Sequence, residues 1–171
     1  YYSGLESGLN SLCGLYAAEA LERLGWDSGD TAPFTRDDLL SRLGLAPRRS
    51  TLAGLLLEIM AGAGLLEKAD SRWRSVMPPE RQPAAELWRC LASGHPAWVA
   101  ELTLLEQCGS RLDRILAAQE DLRAEIFFPD SVLGEFLSQD SPSYKICNRI
   151  LQLAVNMVVD SLPEGRPLRV I

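Results

Sequence analysis

The chain has 171 residues, 47% of them hydrophobic, and a formal net charge of −6. That apolar share supports a packed core and excludes a globally disordered polypeptide, while the acidic balance disfavours nucleic acid, whose phosphates need a positive field. The longest apolar stretch, Leu52–Leu66, is interrupted by Glu58 and several glycines. It is too short and too patterned for a membrane span, and no secretory leader is visible, so a cytoplasmic protein is expected.

The first predicted element is a helix over Leu9–Gly25. Leu9, Leu12, Cys13, Tyr16, Ala20 and Leu24 recur at intervals of three and four, with Ser7 or Asn10 as its cap and Gly25 as its stop. A loop rich in turn formers follows at Trp26–Pro33. In Phe34–Leu45, Thr35 and Asp38 have the spacing of a capping box, Leu39, Leu40 and Leu43 point inward, and Gly44 ends the helix. The next helix has Leu52, Leu55, Leu56, Ile59 and Met60 on its expected buried side. Leu65–Val76 then reads as two short strands joined by a turn at Asp70-Ser71.

Helix, short helix, helix and hairpin is the plan of a winged helix. Arg48, Arg49, Lys68, Arg72 and Arg74 would be its DNA-facing charges, but Asp37, Asp38, Glu58, Glu67 and Asp70 lie among them. A winged helix serving as a packing or dimerising module fits that mixture better.

Met77–Pro83 holds three prolines in seven residues, which neither a helix nor a central strand accommodates. The expected organisation is a winged-helix-like subdomain over 1–77, a linker over 78–83, a helical subdomain over 84–163, and a turn leading into a strand over 164–171. In the second half, Ala84–Ala92 is a helix ended by Ser93-Gly94. His95–Gly109 is another, with Pro96 in its first position, Trp98, Leu102 and Leu105 on one face and Gly109 as its stop. Ser110 caps the next. Phe127 and Phe128 are cut off by Pro129, a short helix covers Ser131–Gln139, and the longest helix runs from about Ser141 to Ser161. Asp140 or Ser141 caps it, and Ile146, Ile150, Leu153, Ala154 and Met157 form its stripe.

Few residues suggest chemistry by themselves. Cys13, Cys90, Cys108 and Cys147 lack C-x-x-C spacing, and the single His95 is remote, so they read as free, buried cytosolic thiols rather than a zinc site or nucleophiles. The glycines of Ala61–Leu66 sit at a helix end rather than after a strand, which makes them a terminator and not a cofactor turn. No phosphate-binding loop is present. Composition and spacing thus indicate a mostly helical body without a self-contained active site.

The second half, Trp88–Ile171, resembles the helical region that precedes the catalytic core in methyltransferase domains of polyketide and hybrid peptide–polyketide synthases. "LTLLEQCGSRLDRILAAQEDLRAEIFFPDS" is similar to that family's leucine run, "CG", "L.DIL.G" and "LFP.GS". "DSPSYKICNRILQLAV" is similar to its "DSP…YN..L…V", with Cys147 where the family has the Tyr of "YN", and "LPEGRPLRVI" to the phrase that enters a Gly-rich cofactor turn. The first half looks like the winged-helix-like module of small-molecule methyltransferases.

The resemblance implies a mainly α fold, winged-helix-like module then lid, ending at the first strand of a Rossmann-like core that would follow. It implies S-adenosylmethionine as cofactor of the full domain, incompletely bound by this piece. The implied partners are the downstream core, neighbouring synthase domains and an acyl carrier protein, with no nucleic acid and no membrane. Phe128, Tyr144 and Asn148 are the residues placed to touch ligand. A non-catalytic adaptor docking synthase domains is the alternative, and a winged-helix DNA-binding regulator the third.

Overall fold

The computed structural model describes residues 3–78, 80–117 and 132–162. The first helix, α1 (Ser3–Arg23), is the axis of the molecule. Leu5, Leu12, Leu15, Tyr16, Ala17, Ala18 and Leu21 are buried on several sides of it, because α3 packs on one flank and α4, α5 and α6 on the other. A helix enclosed in this way is apolar nearly all round, not in one stripe. It begins earlier than its periodicity suggests. Ser7 and Asn10, expected as caps, are interior helical positions, since burial of Leu5 rewards the extra turns.

Helix α2 (Arg36–Arg42) starts as predicted. The Thr35 amide donates to Asp38 Oδ2 at 2.8 Å, and the Asp38 amide donates to Thr35 Oγ1 at 3.2 Å. A 3₁₀ turn at Pro47–Arg49 leads into α3 (Ser50–Gly62). Its buried positions are Ala53, Leu56, Leu57 and Met60, so the inner face is rotated from the expected one and Leu55 is 57% exposed. Three adjacent leucines leave the rotation undetermined by period, and packing against α1 and α2 selects it.

Three of these helices end by one device. Gly25, Gly44 and Gly64 have φ of 102°, 62° and 73°, and the next amide reaches back to the carbonyls of Leu21, Leu40 and Met60, each at 2.9 Å. The hairpin pairs β1 (Leu66–Ala69) with β2 (Arg72–Ser75) in antiparallel register, Leu66 opposite Ser75, and Asp70 takes the left-handed turn position at φ 55°. Phe34 exchanges both backbone hydrogen bonds with Trp73 at 2.9 Å, on the other side of β2.

The proline-rich segment is pinned to α1. Arg81 pairs with Glu22, and the Ala84 amide donates to Glu19 Oε1 at 2.7 Å. Helices α4 (Ala84–Gly94), α5 (Val99–Ser110) and α6 (Leu112–Leu116) then pack on α1. One hydrophobic cluster joins Leu12, Leu57 and Trp73 to Leu91, Leu102 and Leu116.

Three local expectations change here. Pro96 opens a 3₁₀ turn (Pro96–Trp98) rather than α5 itself. Gly109 lies inside α5, and a Cβ added there would sit 2.4 Å from the Tyr16 ring, so it is a contact residue and not a stop. Ser110 is the last residue of α5, and no side chain caps α6.

Helix α7 (Val132–Asp140) packs on α5 and on the long α8 (Pro142–Asp160). Ser141 caps α8, its Oγ accepting from the Tyr144 amide at 3.4 Å, with Pro142 at the first position. Phe127, Phe128 and the strand expected near Leu168–Ile171 lie outside the described residues.

Candidate functional site

Two of the three residues singled out by sequence are brought together. Tyr144 and Asn148 stand one turn apart on the same side of α8, and Phe128 lies outside the described residues. The Tyr144 side chain is 52% exposed. Asn148 is also exposed, but its Nδ2 donates to the Ser138 carbonyl at 2.8 Å, so it fastens α7 to α8.

Beside this pair, α8 presents more apolar surface than its predicted stripe. Ile146, Ile150, Leu153 and Met157 are exposed, and so are Leu151, Val155 and Val158 on the adjoining face. The second row was legible in principle. Cys147, Leu151 and Val158 follow intervals of four and seven, one residue out of step with the first row.

The remaining polar groups assemble no catalytic constellation among the described residues. The His95 amide donates to the Leu91 carbonyl at 2.8 Å and its carbonyl accepts from Trp98 at 2.9 Å, which makes it the joint between α4 and the turn before α5. Burial raises the thiols of Cys13 and Cys108, a backbone hydrogen bond opposing the first shift and Arg111 the second, so neither is poised as a thiolate. All four cysteines are free but not buried as expected: Cys13 and Cys108 are half-buried, and Cys90 and Cys147 are exposed because their helix faces meet no neighbouring element among the described residues. Among the described residues no cluster of His, Cys, Asp or Glu could hold a metal ion.

Two clefts are open to solvent. One of about 520 Å³ lies between Glu6, Asn10 and Gly64, and one of about 340 Å³ between Thr35, Arg36 and Trp73. Gly62 and Gly64 form no cradle for S-adenosylmethionine, because they close α3 and lead into β1 instead of opening a helix whose amides could face it. On the hairpin, Lys68 pairs with Glu58 at 2.5 Å and its ammonium lies 5.5 Å from the Trp73 ring centroid. Arg74 pairs with Glu67. A phosphate backbone would have to displace both carboxylates, which disfavours the DNA-binding reading. Among the described residues no helix is long and apolar enough to cross a membrane.

No family model and no curated protein matches the sequence. Solved structures do. The chain is similar to the CurJ carbon methyltransferase, with a TM-score of 0.85 and 28% identity, covering 98% of this chain and 45% of that one. It shares its fold with the DszA carbon methyltransferase (TM-score 0.73, 23% identity, 98% and 43% covered). The same holds for the CMeT domain of the citrinin polyketide synthase (TM-score 0.79, 20% identity, 99% and 45% covered). The chain therefore spans less than half the length of these structures. Over nearly its whole length, it resembles the N-terminal part of a polyketide synthase carbon methyltransferase domain.

Proposed function

We propose that the chain is the lid and scaffold region of a carbon methyltransferase domain in a cytoplasmic polyketide synthase. The likeness to the CurJ carbon methyltransferase across 98% of the chain carries this reading. In it, α1–α3 and the hairpin form a winged-helix-like module used for packing, and the helices from α4 onward form the lid. S-adenosylmethionine is held by the part of the methyltransferase fold that this chain does not span. The partners are that core, neighbouring synthase domains and an acyl carrier protein. The lid's own contribution is physical: it excludes water from the reacting groups and narrows the path by which a carrier-bound acyl thioester reaches the methyl donor. Tyr144 and Asn148, with Phe128, border that path.

The test compares the 171-residue chain with the same chain joined to the sequence its gene encodes next. Calorimetry is expected to show S-adenosylmethionine binding only by the joined protein, which transfers a methyl group to an acyl thioester on carrier protein. Micromolar cofactor binding by the 171 residues alone, or no cofactor binding by the joined protein, refutes the proposal.

A further inference from the structure

We infer that α8 is the seat on which the remaining part of the methyltransferase fold docks, and that it is enclosed from two directions. The inference rests on the functional reading above and names the surface it uses. Ile146, Ile150 and Met157 form one row, 63%, 63% and 74% exposed. Cys147, Leu151 and Val158 form a second exposed row beside it. With successive residues turned by about 100° around a helix, the two rows and their neighbours occupy more than half of its circumference. Lys145, Arg149, Gln152 and Asn156 fill the rest.

Among the described elements α8 packs chiefly on α7, where Asn148 holds the Ser138 carbonyl. The exposed rows run along most of a 19-residue helix. A contiguous apolar surface of that length marks an interaction site. The width of the surface identifies the occupant. A second copy of this chain, pairing helix to helix about a two-fold axis, covers one stripe and leaves the other row in water. A globular body that receives the helix in a groove covers both. The similar structures have chain enough for such a body, since more than half of each lies outside the part shared with this one.

Cys147 lies within the seat and reports on it, and Cys90 on α4 is an exposed internal reference. Maleimide labelling is followed in the 171-residue chain and in the chain joined to its encoded continuation. In the chain alone both thiols react. In the joined protein Cys147 slows by about tenfold or more while Cys90 is unchanged. Ile150→Glu with Met157→Glu leaves the thermal midpoint of the 171-residue chain unchanged, because both side chains are solvated there. In the joined protein the same pair restores Cys147 labelling.

Equal Cys147 reactivity in the two proteins overturns the inference. So does protection that rises with concentration of the 171-residue chain, which assigns the face to a second copy. A joined protein that methylates while Cys147 stays reactive defeats the docking alone. One that protects Cys147 without binding S-adenosylmethionine defeats the functional reading alone.

Discussion

Replacing Gly109 by alanine is expected to destabilise the fold, although alanine ordinarily favours a helix. The added Cβ would lie 2.4, 2.5 and 2.8 Å from Cγ, Cδ2 and Cδ1 of Tyr16, where carbon contacts normally begin near ~3.5 Å. Tyr16 is 5% exposed and enclosed, so its ring cannot swing away and α5 must move off α1. Such overpacking costs about 1–3 kcal/mol, and the helix propensity of alanine returns about 1 kcal/mol. The net loss is about 1 kcal/mol, which lowers the urea midpoint by roughly 0.5 M at a slope of about 2 kcal/mol/M. Gly62→Ala is the control, because it ends α3, has an ordinary φ and has nothing within 4 Å of the new methyl. It should gain up to about 0.5 kcal/mol. Urea unfolding followed by far-ultraviolet circular dichroism measures both. A Gly109→Ala protein as stable as the parent, with Gly62→Ala behaving as stated, would show that the α1–α5 contact is not tight and refute the reasoning.

Two further outcomes follow from local chemistry. Thr35→Ala removes the side chain that receives the Asp38 amide and should lower stability by about 1 kcal/mol, whereas Thr35→Ser retains it; urea midpoints separate the two. Tyr16 carries a pH dependence. Burial foremost, then the carboxylates of Glu106 and Glu19, push its hydroxyl up to about 12. A group raised in the folded state contributes stability that is whole below its unfolded value and is lost as pH climbs to the folded one. The parent should therefore weaken between about pH 10 and 12, and Tyr16→Phe should flatten that decline in chemical unfolding across the range.

Signals with one nearby physical cause were legible in the chain. Thr35 and Asp38 needed only the three-residue spacing of a capping box, and the turn at Asp70 only short strands on either side. Gly25, Gly44 and Gly64 stop helices because each adopts a backbone conformation that side chains resist. Gly109 did not follow suit. It faces a ring 93 positions away in sequence, so its role depends on a contact no local pattern contains (109 − 16 = 93).

The candidate site divides in the same way. The spacing of Tyr144 and Asn148 places them together on any helix, and the long α8, its Ser141 cap and its Pro142 start follow from local preference. That Asn148 holds the Ser138 carbonyl required α7 to fold back beside α8. Periodicity also marks α8 as amphipathic without saying whether its apolar side is covered, and the tertiary structure leaves both rows exposed. For α3, Leu55, Leu56 and Leu57 were equally apolar candidates, and only packing against α1 and α2 put Leu55 in solvent. Sequence alone thus determined which segments coil, and where they stop or are capped only at Thr35, Ser141, Gly25, Gly44 and Gly64, whose signals depend on atoms a few bonds apart. The tertiary structure decided which face is buried and which glycine bears a ring, because burial is a property of whatever body comes to lie alongside.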